Sequence, residues 1–219
     1  MHLIASGDPE VINIAGTSLR LALSSTLYAG LLGVPLGILL AFARYPGKRG
    51  VKVVFNSLMG IPTVVIGLFV YSLINRQGPL GSLGLLFTRQ GIVLGQTLLI
   101  LPVLITVTWT TLAGVDPLLL ETLKAYRLGS FRRYLLILRE VKGQIMLGVV
   151  TGFGRVIGEV GVAMMLGGNI RWYTRTITTA ISLETSKGQF ELGLALGIIL
   201  LCISLGVNIL LNLGVRAHE

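Results

Sequence analysis

Charge is scarce in this chain. Only 12% of its 219 residues are Asp, Glu, Lys or Arg, about half the share found in soluble domains. Acidic residues are the scarcer sign, nine against eighteen Lys and Arg. There is one cysteine, Cys202, inside an apolar run, so no disulfide within the chain is possible. The two histidines, His2 and His218, stand at the ends. That excludes His-rich metal centres, paired-His haem ligation and Ser-His-Asp catalysis. No G-x-x-x-x-G-K-[ST] run occurs, so the chain does not bind ATP through a P-loop. Gly152, Gly154 and Gly158 do not form the dinucleotide fingerprint, and no carboxylate pair is placed for hydrolysis. No catalytic residue and no metal ligand is assigned, and the chain is not expected to be an enzyme by itself. The opening MHLIASGDPEVINIAG has Asp8 and Glu10 but no basic residue before Arg20, so no cleavable leader is expected.

What is present is apolar sequence. Hydrophobic residues make up 53% of the chain and the mean hydropathy is +0.84, which points to lipid as the solvent. A membrane-spanning helix needs about 20 mostly apolar residues. Five runs qualify: Val11 to Ala43, Val51 to Ile74, Ile92 to Ala113, Ile145 to Leu166 and Leu192 to Leu213. The first is long enough to protrude or tilt. None shows the ten-residue alternation of a membrane barrel. The expected fold is all-α, a polytopic bundle of five transmembrane helices in one domain over residues 1–219. Glycine is abundant, 29 residues, with Gly148, Gly152, Gly154, Gly158 and Gly161 in the fourth run. Small residues at such spacings let helices approach closely in lipid.

The net charge of +9 suggests nucleic acid, but the basic residues lie between apolar runs. That is the pattern of cytoplasmic loops, and no nucleic-acid partner is expected. The first loop holds Arg44, Lys48, Arg49 and Lys52, and the third Lys124, Arg127, Arg132, Arg133, Arg139 and Lys142. The second holds only Arg76 and Arg89, and the fourth Arg171, Arg175 and Lys187. Loops one and three are therefore expected in the cytoplasm, with the N-terminus outside and the C-terminus inside.

The third loop, 114–143, is the most informative segment. Asp116-Pro117 predicts a helix start, a capping side chain followed by proline at the first helical position. An amphipathic helix is expected to about Leu128, a break at Gly129 with Ser130 as the next cap, and a second helix from about Phe131. On residue types alone, a basic helix lying on lipid headgroups is the alternative.

Glu121-Thr122-Leu123, Gly129 eight residues after the glutamate, and Ile137-Leu138 resemble the EAA loop of binding-protein-dependent ABC importer permeases. Thr122 and Leu123 stand where that family has two alanines, and Arg139-Glu140 where it has Leu-Pro. Pro62-Thr63-Val64-Val65-Ile66-Gly67 is similar to the PPVVVG stretch of molybdate-type permeases. Gly158-Glu159-Val160-Gly161 resembles their GEFG stretch, and Thr174-Arg175-Thr176-Ile177 their TRTI stretch. With the short chain and Gly167-Gly168-Asn169-Ile170, the likeness is greatest to tungstate permeases.

The resemblance implies a permease subunit of an ATP-driven importer in a prokaryotic cytoplasmic membrane. It implies a homodimer, two ATPase subunits that bind the ATP and Mg, an extracytoplasmic binding protein, and no cofactor on this chain. The ATPases would grip the loop through Glu121, Lys124, Arg127, Gly129 and Ser130. The solute would be a small oxyanion, tungstate first, with molybdate, sulfate or another small solute as alternatives. A stand-alone secondary transporter would require a repeat with discontinuous helices, and none is expected here.

Charge inside the membrane supplies the remaining candidates. Arg155 and Glu159 are four residues apart, on one face of a continuous helix, with Arg155 about 15 Å into the bilayer. They form either a self-neutralising structural pair or the border of a translocation path. Pro62 removes a backbone donor and is expected to kink the second span beside Thr63. Gly158 adjoins the charged pair. Asn169, Thr174, Thr176, Thr178 and Thr179 follow the fourth span, and Asn169, Thr176 and Thr178 offer groups that suit a tetrahedral oxyanion. Arg171 and Arg175 add positive potential there, or are simply solvated.

Overall fold

The computed structural model describes residues 9–125 and 129–216. Ten α-helices are described: α1 (Pro9–Phe42), α2 (Lys48–Leu58), α3 (Thr63–Ile74), α4 (Arg89–Ala113), α5 (Pro117–Ala125), α6 (Ser130–Glu140), α7 (Lys142–Ile157), α8 (Gly161–Gly167), α9 (Ile177–Ser186) and α10 (Phe190–Arg216). Three are long and apolar enough to cross a membrane alone: α1, α4 and α10 over Phe190–Ile209. The second and fourth spans are bent pairs, α2 with α3 at 98° and α7 with α8 at 59°. The chain is thus an all-helical membrane bundle, with five spans if each bent pair is one. Continuous second and fourth spans do not form, and discontinuous helices are present, contrary to the sequence expectation.

The two central helices run parallel, and small residues bring them together. Ser18, Ala22, Ser25, Ala29, Gly33 and Gly37 are buried along one stripe of α1. A Cβ on Gly37 would lie 2.7 Å from Thr108 Cβ and 2.8 Å from the Ile105 carbonyl oxygen. One Gly33 neighbour would be Leu104 Cβ at 3.0 Å. With no hydrophobic drive between helices in lipid, such close backbone contact and buried hydrogen bonds hold the bundle together. Ser25 Oγ donates to Gln96 Oε1 at 2.9 Å. On the opposite side of α4, Gly95 accepts Val162 and Leu166 of α8. The core is built around Ala29, Leu99, Ile100, Leu104, Phe153 and Val156.

The register of α1 on α4 sets the membrane boundaries. Arg89 opens α4, and Arg20 lies at a similar level on α1, whose Leu21 clusters with Ile92. From Arg20 to Phe42 is roughly 33 Å at 1.5 Å per residue, the thickness of a hydrocarbon core. The first eleven residues of α1, Pro9 to Leu19, therefore overhang the membrane. Ile14 in this overhang packs on Ile177, Ala180 and Leu196. Helix α9 arises in a segment read from sequence only as a loop, and its signal is local. Thr176 and Thr179 form a reciprocal capping box, which satisfies two orphan backbone donors.

At the other end, α5 and α6 tuck beneath the bundle. Leu112, Leu123, Ile137 and Val141 form a small core joined by Ile38, Phe42 and Ile145. Asp116 Oδ1 accepts from the Leu118 N–H at 2.8 Å and helix α5 starts at Pro117, as expected. Gly129 itself is the N-cap of α6 and Ser130 its first residue, one place earlier than read from sequence. Leu123 fills a buried position, so a large side chain there serves packing.

Candidate functional site

The breaks of the second and fourth spans lie against each other. In the second span α2 ends at Leu58 and Pro62 caps α3 with φ −58° and ψ 135°. Proline has no N–H and disfavours helix at the residue before it, so Ile61-Pro62 stops one helix and starts another. In the fourth span α7 ends at Ile157 and α8 begins at Gly161. Gly161 sits against Val64 and Thr63: a Cβ there would lie 3.2 Å from Val64 Cγ2 and 3.4 Å from Thr63 Oγ1.

The fourth-span break separates Arg155 from Glu159. They do not share a helical face, and no ion pair joins them among the described residues. Arg155, half-buried, donates from Nη1 to the Met59 carbonyl at 3.0 Å. That carbonyl lies at the C-terminal end of α2, where partial negative charge favours a cation. Glu159 is buried, and its Oε1 accepts from the Val162 N–H at 3.1 Å. It supplies the anion that a helix N-terminus favours. Each charge therefore answers the end of a different half-helix.

Glu159 also anchors a chain of hydroxyls. Thr178 Oγ1 donates to the Glu159 carbonyl at 2.7 Å. Thr178 has one proton, so Thr176 Oγ1 donates to Thr178 Oγ1 across their 3.0 Å contact. Thr179 Oγ1 accepts from the Thr176 N–H at 2.9 Å and bonds Asn169 Oδ1 at 3.0 Å. Thr174 Oγ1 donates to the Gly167 carbonyl at 2.6 Å. Thr174, Thr176, Thr178 and Thr179 are all buried. Their hydroxyls are spent within the protein: Thr178 holds α9 to the α7–α8 break, and Thr174 and Thr179 hold the loop before α9. Ser18 joins from α1, where its Oγ accepts from the Ile177 N–H at 2.7 Å. Nothing in the sequence near Ser18 signals that contact.

Arg171 and Arg175 are not simply solvated. Arg171 Nε and Arg175 Nη1 donate to Glu10 Oε1 at 2.9 and 3.0 Å, tying the α1 overhang to the loop before α9. Glu10 had no role in the sequence analysis, because 161 residues separate it from Arg171. Asn169 is left-handed at φ 50°, a conformation asparagine tolerates.

The remaining candidates divide by exposure. Pro62 and Gly158 are exposed and Thr63 is half-buried. Val64, Val65, Leu68 and Phe69 continue an exposed apolar face along α3. In the third loop Glu121 and Thr122 are exposed on α5 while Leu123 turns inward. Arg127 and the side chains of Lys124 and Ser130 lie outside the described residues. Among the described residues, no group of three or more His, Cys, Asp or Glu is placed to hold a metal ion.

Broken spans abutting within a bundle, with an amphipathic helix pair below it, define a polytopic membrane transport subunit. The family model for the binding-protein-dependent transport system inner membrane component matches residues 33–218. The chain belongs to this family and is the permease of an ABC importer. It is 36% identical to the tungstate uptake system permease protein TupB of Peptoclostridium acidaminophilum, over 95% of this chain and 91% of that protein. It is 38% identical to the TupB of Campylobacter jejuni, over 95% and 87%. Molybdenum and sulfate permeases are more distant relatives. Among solved structures, the inward-facing MetNI methionine ABC transporter aligns with a TM-score of 0.77 at 15% identity, over 96% of both chains. That likeness bears on the fold.

Proposed function

We propose that the chain is the membrane subunit of a tungstate importer. It works as a homodimer with two ATPase subunits, which carry the ATP and Mg, and receives its solute from an extracytoplasmic binding protein. The observation that carries this reading is the 36–38% identity to tungstate permeases over 95% of the chain. Tungstate and molybdate are close chemical analogues, and a permease that offers the path one cation, Arg155, does not by itself separate them.

The loop 114–143 is the coupling element. Glu121, exposed on α5, faces the ATPase, with Lys124, Arg127, Gly129 and Ser130 around it. The basic residues of loops one and three support a cytoplasmic position, hence an outer N-terminus and an inner C-terminus. The path runs beside the two breaks. Pro62, Thr63 and Gly158 border it, and Arg155 lends a favourable field to an anion. Glu159, Asn169, Thr176 and Thr178 hold the frame, because their polar groups already bond to one another. Residues 1–219 are read as a single permease domain.

The test is ATPase activity of the reconstituted complex against tungstate, molybdate and sulfate, each with binding protein present. Strongest stimulation by tungstate is expected. Equal or greater stimulation by sulfate overturns the assignment, and absence of a co-purifying ATPase overturns the importer assembly.

A further inference from the structure

Arg20 stands out because it is the one basic residue of α1 and has no described partner. It is exposed on α1, and no hydrogen bond or ion pair involves it among the described residues. A groove of about 560 Å³ opens beside it, lined on α1 by Leu21, Ser24, Tyr28 and Leu32 and on α4 by Val93 and Leu94. Arg89 and Gln90 share the mouth with Arg20, and no acidic residue lines any part of the groove. Arg89 is aimed by its neighbour: its Nε donates to the Tyr173 carbonyl at 2.8 Å, and its guanidinium lies 5.2 Å from the Tyr173 ring centre.

The groove is built for an amphiphile. Its mouth lies at the membrane boundary that Arg20 and Arg89 mark, on the face opposite the α5–α6 loop. From Arg20 the groove descends past Tyr28 to Leu32, a drop of roughly 18 Å at 1.5 Å per residue, into the depth of the acyl chains. Two guanidiniums above an apolar trough match a phosphodiester with hydrocarbon below it. Aromatic side chains at the same level, Phe87, Trp172 and Tyr173, are exposed, as in an interfacial belt. A second copy of this chain is a poorer match. Of its described acidic residues on this side of the bundle, Glu10 and Glu184 are paired within their own chain and Glu159 is buried; Glu191, exposed at the start of α10, is the one such carboxylate with no described ion pair, against two guanidiniums at the mouth.

We propose that this α1–α4 groove binds one anionic glycerophospholipid per subunit, its phosphate between Arg20 and Arg89 and one acyl chain along Tyr28 and Leu32. The lipid would brace the seam of the two central helices from outside. The proposal holds whichever face is cytoplasmic and whichever solute is carried.

Native mass spectrometry of the assembled transporter, titrated with phosphatidylglycerol in micelles, tests it. Arg20→Gln is expected to weaken the tightest-bound lipid about tenfold, the size of one hydrogen bond to a charged group. Arg20→Lys should keep most of the affinity, and Leu32→Trp should lower it by filling the trough. Arg20 has no described contact to lose, so a wild-type melting temperature checks that Arg20→Gln is folded. Phosphatidylcholine should bind more weakly, and millimolar inorganic phosphate should not displace the lipid. Unchanged phosphatidylglycerol affinity in Arg20→Gln overturns the proposal. So does displacement by inorganic phosphate, which would make this a free-anion site. Cross-linking of Leu32→Cys to a second copy, in a Cys202→Ser background, would instead assign the groove to a dimer contact.

Discussion

Replacing Arg155 by methionine separates a functional tether from a structural one. The substitution keeps an unbranched, apolar stem and removes the guanidinium that donates to the Met59 carbonyl at 3.0 Å. The lost bond costs roughly 1.5–3 kcal/mol, the range for hydrogen bonds to charged groups. The same change removes a charge from within the bilayer, which insertion scales put at roughly 2.5–3.5 kcal/mol. The two terms nearly cancel. The melting temperature of the purified complex is therefore expected to move by no more than about 4 °C, about 1 kcal/mol for a chain of this size. Uptake, however, should fall at least tenfold, the equivalent of about 1.4 kcal/mol, because the break between α2 and α3 loses its side-chain tie to the fourth span. Arg155→Lys, which retains a cationic donor, should recover part of the loss. Both quantities are read from one preparation in liposomes, by differential scanning calorimetry and by binding-protein-dependent uptake. Wild-type uptake in Arg155→Met would refute the tether. A melting temperature lowered by 10 °C or more, an effect of roughly 3 kcal/mol, would show that the charge is structural.

Three further outcomes follow from the packing. Gly37→Ala places a Cβ 2.8 Å from the Ile105 carbonyl oxygen and should cost about 1–3 kcal/mol through overpacking. Gly154→Ala meets nothing within 4 Å and should stabilise by up to about 1 kcal/mol, so paired thermal melts of the two variants are expected to shift in opposite directions. Thr178→Val leaves the buried Glu159 carbonyl without its hydroxyl donor and should cost about 1–3 kcal/mol, with Thr178→Ser restoring most of it in the same melts. Glu121→Lys alters an exposed side chain and should leave the melt unchanged while a tagged permease no longer retains its ATPase in a pull-down. Retention at the wild-type level would remove Glu121 from the contact.

The approximate position of the membrane segments was legible because lipid imposes a simple rule. Long apolar runs must be helical, and basic residues collect between them. Asp116-Pro117 announced α5 for an equally local reason, since a cap and a proline act within one turn. The break at Pro62 was half legible. The proline required an interrupted ladder, but a 98° turn depends on what α3 packs against once the ladder is open. The fourth-span break at Gly158 was not legible, for glycine in a membrane helix more often serves close packing. Reading that span as continuous placed Arg155 and Glu159 on one face. In the fold they serve different helix ends.

The chain's order of residues, by itself, determined the solvent, the helical class, the approximate spans and the family, because each follows from composition or from short motifs. Only the tertiary structure decided which polar groups are free. Glu10 is bound to Arg171 and Arg175 across more than 160 residues, Ser18 to Ile177, and Thr178 to Glu159. A polar side chain in lipid must find a partner or face water, and whether it has found one is a property of the packed bundle. The same holds for Arg20, whose lack of a partner among the described residues emerges only when α1 lies against α4.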